Sequence, residues 1–134
     1  MQTAIIKFML IVLTILSVHF FADFVFQSSQ MATGKSKSLK WLSIHVGVYG
    51  LVSLISAFII GYELSNISIG FIWWGINVGL HFVVDFFTSK IASRFWEEKN
   101  MRLFFVMIGF DQLLHNLCLI YSYFLMIGLA MVDR

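Results

Sequence analysis

Apolar residues in this 134-residue chain are concentrated in runs of about twenty, and no other feature restricts the fold as tightly. Four such segments are expected at about residues 5–26, 42–60, 67–87 and 103–131. The first three have the length needed to cross a bilayer as helices, and the fourth is long enough to tilt, protrude or bend. With 60% hydrophobic and only 12% charged residues, the chain falls far below the charge content of a soluble domain, roughly a quarter. It contains no proline. The expected architecture is one all-α integral membrane domain spanning 1–134, with four transmembrane helices in an antiparallel bundle.

The connections give an orientation. Residues 27–40 and 88–102 hold seven of the nine lysines and arginines, while Lys7 and Arg134 lie near the two ends of the chain. Positive-inside bias puts these two loops in the cytoplasm and both termini on the extracytoplasmic side. The connection around 63–66 is short enough to make the second and third helices a hairpin. Trp41, Tyr62, Trp73, Trp74 and Trp96 lie near segment ends, where amphipathic rings favour the headgroup level. Lys7 followed by Phe8–Val18 has the outline of a signal peptide, but no small-residue cleavage site follows, so the segment is read as the first spanning helix.

Several chemistries are excluded or weakened by the same inventory. A net charge of +2 is too small to argue for nucleic acid, and the single Cys118 cannot form an internal disulfide or a cysteine zinc cluster. Gly34-Lys35-Ser36 resembles the end of a phosphate-binding loop, but Ser29 stands where the earlier glycine is required. Gly75 and Gly79, and more loosely Ala57 and Gly61, have the small-xxx-small spacing of close helix contacts, so a homo-oligomer through Gly75/Gly79 is a candidate assembly.

The polar residues inside the apolar runs are more specific. His19 precedes Asp23 by four residues, His81 precedes Asp85 by four, and Asp111 precedes His115 by four; His45 has Tyr49 at the same distance. Residues four apart share a helix face. Given the orientation above, all of these groups fall at one depth, toward the cytoplasmic side. An ionised aspartate facing lipid costs about 2.5–3.5 kcal/mol, so three would cost roughly 8–10 kcal/mol and must point into the bundle. Imidazole and carboxylate donors converging there suit a divalent metal, with zinc, manganese and iron not distinguished.

The expected metal ligands are His19, Asp23, His81, Asp85, Asp111 and His115, with Asp85 and Asp111 also the candidate catalytic groups. Gln27, His45, Tyr49, Asn77 and Gln112 are expected to orient these ligands. Cys118 is read as a small buried hydrophobe. A hydrogen-bonded polar core without metal is the plainer alternative.

H-F-F-A-D-F-V-F-Q at His19–Gln27, H-V-G-V-Y at His45–Tyr49, H-F-V-V-D-F at His81–Phe86 and D-Q-L-L-H at Asp111–His115 resemble, in matching order, the bacterial and phage membrane proteins grouped as domain of unknown function 3307. The resemblance implies a small multi-helix protein of a bacterial cytoplasmic (inner) membrane and carries no activity. The H-x-x-x-D pattern is also similar in style to membrane-bound metal-dependent hydrolases.

The function expected from these features is hydrolysis of a lipid or lipid-linked phosphoester, with membrane lipids as partners and Lys35, Lys37, Lys40, Lys90 and Arg94 drawing anionic headgroups to the face. Alternatives are a proton or cation transporter or channel subunit, in which histidine protonation moves charge; a b-type haem protein, disfavoured by the acids beside each histidine; and a non-catalytic assembly component.

Overall fold

The computed structural model describes residues 2–132; Arg134, counted above in the charge asymmetry, lies outside the described residues. Four long helices run antiparallel: α1 (Gln2–Phe20), α3 (Leu39–Glu63), α4 (Ile67–Glu97) and α5 (Met101–Val132), with a short α2 (Ser29–Gly34) between the first two. No strand occurs among the described residues. Each long helix is of sufficient length and apolarity to cross a membrane, α1 being counted with the turn that follows it. Large side chains such as Leu13, Leu51 and Phe105 are exposed around the outside, leaving an apolar outer surface of the kind that lipid covers.

α4 and α5 are longer than their expected segments. At 31 and 32 residues they reach roughly 46–48 Å, well beyond a hydrocarbon core of about 30 Å. Most of the expected 88–102 loop is therefore the continuing end of α4, and its charges extend past the apolar zone on a helix. The change of direction is confined to three residues, Glu98–Asn100, and the α3–α4 turn at Leu64–Asn66 is built the same way. In both, the middle residue adopts a left-handed conformation (Ser65 φ 56°, Lys99 φ 57°). The following asparagine N–H then closes back on the helix, Asn66 to the Gly61 carbonyl and Asn100 to the Phe95 carbonyl, both at 2.9 Å. The same asparagines cap the next helix through their side chains, Asn66 accepting from Ser68 N–H and Asn100 from Leu103 N–H.

The end of the bundle away from α2 is held by packing. Ile11, Ile15, Ile60, Ile69, Trp73, Leu119, Tyr123 and Met126 form a closed core. Trp73 is buried there, its indole N–H donating to the Leu119 carbonyl, so it is a core residue and not the interfacial anchor expected from its neighbours. Trp74 donates to the Gly50 carbonyl at 2.7 Å across the α3–α4 seam.

α3 and α4 approach closely at Gly70. A Cβ at Gly70 would stand 2.1 Å from the Ala57 carbonyl oxygen, and one at Gly61 would stand 3.0 Å from the Ile67 Cα. Gly75 and Gly79 face outward, with nothing near a Cβ position.

These contacts predict an asymmetry between glycines. Gly70→Ala forces α3 and α4 apart and should cost about 1–3 kcal/mol or more, seen as a lowered melting temperature in detergent. Gly75→Ala should leave the melt unchanged or slightly raised. Equal effects at both positions would overturn the assignment of Gly70 as the contact point.

Candidate metal centre

The other end of the bundle is polar inside, and the path of α1 is what brings it together. After Phe20 the helix widens into one π-helical turn, Phe21–Val25, closed by the Phe26 N–H to the Phe21 carbonyl at 2.9 Å. The wider turn changes the azimuth at which Asp23 leaves the helix, and π turns of this kind concentrate at functional sites. Asp23 is directed toward α3 and α4: its Oδ1 lies 3.1 Å from His45 Nε2 and 3.5 Å from His81 Nε2. Its own-helix neighbour His19 is farther, at 3.9 Å.

Asp85, three turns from the end of α4, faces the same point. Its Oδ2 lies 2.9 Å from His45 Nε2 and 3.4 Å from His81 Nε2, and the two imidazole nitrogens are 3.1 Å apart. One oxygen each from Asp23 and Asp85 and one nitrogen each from His45 and His81 lie within 4.8 Å of one another. All four residues are buried. Four ligands at about 2.0–2.1 Å around a tetrahedral ion are separated by roughly 3.3 Å, and the five separations given above straddle that value.

The rings are oriented by stacking. Tyr49 lies flat on His81 with centroids 3.8 Å apart, and His115 stacks on its other side at 4.2 Å. The Nδ1 atoms of His45 and His81 have no protein hydrogen-bond partner among the described residues, so packing, not a donated N–H, fixes both rings.

A second group adjoins the first and shares Asp23 with it. Asp23, Asp111 and His115 bring ligand atoms within the same 4.8 Å limit. Here protein donors occupy the carboxylates. The Gln112 amide donates to Asp23 Oδ2 at 2.7 Å and to Asp111 Oδ2 at 3.1 Å, while the Thr88 hydroxyl donates to Asp111 Oδ1. His115 Nε2 approaches Asp85 at 3.6 Å and Asp111 at 3.5 Å, without hydrogen-bond geometry to either.

The fold thus gathers His19, Asp23, His45, Tyr49, His81, Asp85, Asp111, Gln112 and His115 at one end. His19 is buried beside the rings of His81 and His115, with Nε2 3.3 Å from Gln112 Oε1, and belongs to neither ligand group. His45, expected only to orient ligands, is at the centre of the tighter one. Asn77 is elsewhere: its amide donates to the Trp73 carbonyl and to Ser122 Oγ, both at 2.8 Å, tying α4 to α5. Cys118 is half-buried and free.

Sequence reasoning also missed Lys35, treated as one of several surface lysines. Its Nζ donates to both oxygens of Asp85, at 3.0 and 3.1 Å. A cavity of about 530 Å³ begins at this centre, with Asp23, Asp85, Asp111, Gln112 and Gln27 among its lining residues. It runs between α2, α4 and α5 to the exposed residues Thr33, Lys37 and Glu97. The Gln27 Oε1 is buried without a hydrogen-bond partner among the described residues.

Residues 9–132 match the model of a family described as protein of unknown function (DUF3307), and the chain belongs to that family. No curated protein and no solved structure matches the chain.

Gln112 holds two acidic side chains at once, which gives a direct test of the cluster. Gln112→Leu removes the donor from both and should cost about 1–3 kcal/mol in detergent unfolding. Cys118→Ala should stay within about 0.5 kcal/mol. A neutral Gln112→Leu would mean that the two carboxylates do not share that amide.

Proposed function

We propose that this DUF3307 member is a membrane-embedded, metal-dependent hydrolase of a lipid or lipid-linked phosphoester, with a divalent cation held by Asp23, His45, His81 and Asp85. The observation that carries the metal reading is the convergence of two imidazole Nε2 atoms and two carboxylate oxygens at ligand-to-ligand spacing. Two histidine nitrogens facing each other at 3.1 Å share at most one hydrogen bond, whereas one cation satisfies both lone pairs. Charge points the same way. Asp23, Asp85 and Asp111 against the ammonium of Lys35 leave two negative charges when the histidines are neutral, and burying unbalanced charge is costly.

A divalent ion in such a site supplies Lewis-acid polarisation of a phosphoryl oxygen and lowers the pKa of bound water. The chain's own residues do the rest. Asp111 borders the cavity with its carboxylate oriented by Thr88 and Gln112, which suits a general base. Phe24, Trp96, Phe104 and Ile108 give the same cavity an apolar wall beside its acidic floor, matching an amphiphile with a polar head. The positive-inside bias orients this end toward the cytoplasmic face of a bacterial inner membrane, with both termini opposite. Conduction is the weaker reading, because the bundle beyond Asn77 is closed by Trp73, Leu119, Tyr123 and Met126.

Metal analysis of the detergent-purified chain should return about one ion per chain, with most of it lost in His45→Ala and His81→Ala and much less in His19→Ala. Asp85→Asn should fold, lose the ion and show no turnover on a panel of phospholipids and polyprenyl phosphates. Metal-free wild type rejects the centre; full turnover in Asp85→Asn rejects the centre as the seat of the activity, and no turnover by metal-loaded wild type rejects the enzyme.

A further inference from the structure

Lys35 is the one lysine or arginine among the described residues that reaches the buried acids. It leaves the backbone where α2 ends, and its side chain is only 14% exposed. The ammonium lies 3.0 and 3.1 Å from the two oxygens of Asp85 and 3.5 Å from His45 Nε2. Asp85 and His45 each supply an atom to the tetrahedral set. The ammonium therefore draws on the same lone pairs that a divalent cation would use, and two cations so close repel strongly. Lys35 also lines the cavity, so its flexible four-carbon stem has room to turn without unwinding a helix.

We infer that Lys35 is an internal counter-ion that competes with the metal for Asp85 and His45. Once displaced, it swings into the cavity and binds the phosphoryl oxygens of the ligand. This rests on the metal reading above and adds to it the anion that the cavity accepts. Before metal enters, the ammonium keeps Asp85 from standing uncompensated. With Asp23, His45, His81 and Asp85 holding an ion, the ammonium would turn to the cavity, where a phosphate group would meet its charge beside that of the filled centre. The recognised chemistry is a phosphoryl dianion or monoanion, carried either by an amphiphile headgroup or by free phosphate.

The test uses the full chain in detergent and measures binding of Zn²⁺ or Mn²⁺ alone by calorimetry. If the lysine-paired state dominates, metal affinity is reduced by the fraction of time Asp85 is free, so Lys35→Met should bind metal about tenfold or more tightly. Lys35→Gln serves as a second neutral variant should Lys35→Met fold poorly. Lys99→Gln, an exposed change of equal charge, should leave metal affinity unaltered.

On the metal-loaded proteins, inorganic phosphate and a short-chain phosphatidic acid are then titrated separately. Both should bind about tenfold more weakly to Lys35→Met than to wild type. Loss confined to the lipid assigns the site to a headgroup, and loss for both assigns it to phosphate as such. Metal affinity unchanged or weakened in both neutral variants overturns the competition, and undiminished phosphate binding overturns the anion role. Failure of wild type to bind metal instead rejects the underlying centre, which the wild-type titration shows by itself.

Discussion

A carboxylate taken out of water must find opposite charge or hydrogen-bond donors within a few ångströms, and in this bundle Asp23 and Asp85 are almost wholly enclosed. The partners come from every long helix: His19 from α1, His45 from α3, His81 from α4, His115 and Gln112 from α5, with Lys35 added from the connection after α2. Separating any helix from the others would leave charge or polar atoms unpaired in an apolar surrounding. In lipid, where burying apolar side chains gives helices little reason to associate, such polar pairing and close backbone contact are the available forces. The two are divided between the ends of the molecule. The polar cluster joins the helices at one end, and Gly70 against Ala57 with the Trp73–Tyr123 core joins them at the other.

The parts of the cluster are not hydrogen-bonded alike. Asp111 takes donors from Thr88 and Gln112, and Asp85 takes Lys35 on both oxygens, whereas the Nε2 atoms of His45 and His81 face each other at 3.1 Å and share at most one proton. The first arrangement fixes a side chain in one orientation; the second has the spacing of a group that could hold a cation. Both border one cavity that reaches the surface. The π turn that aims Asp23 inward sits at the junction between the two groups, since Asp23 belongs to each.

How much of this was legible depended on whether the relevant geometry lies within a helix or between helices. The i,i+4 pairs His81/Asp85 and Asp111/His115 are close in space because a helix alone makes them so. In sequence His45 reads as an accessory because its helical neighbour is Tyr49, yet its partners Asp23, His81 and Asp85 all come from other segments. Lys35 sits in a serine-rich connection where its neighbours look solvated. Trp73 and Trp74 looked alike in sequence, but one fills the core and the other bonds a backbone carbonyl at the seam. The left-handed turn at Lys99 shortened the expected 88–102 loop to three residues, a change that no glycine or proline advertised.

Hydropathy and the four-residue spacing were enough to determine an all-helical chain, four segments of spanning length, and three acid–imidazole pairs that had to face inward. Those follow from backbone periodicity and from the cost of placing charge in hydrocarbon, both of which act locally. Which four atoms meet, which lysine reaches them, and which small-residue pair carries the helix contact were decided only by the azimuth and tilt of each helix against its neighbours. These are set jointly by turn geometry, the π turn at Phe21–Val25 and side-chain fit across the seams, and no single segment contains that information.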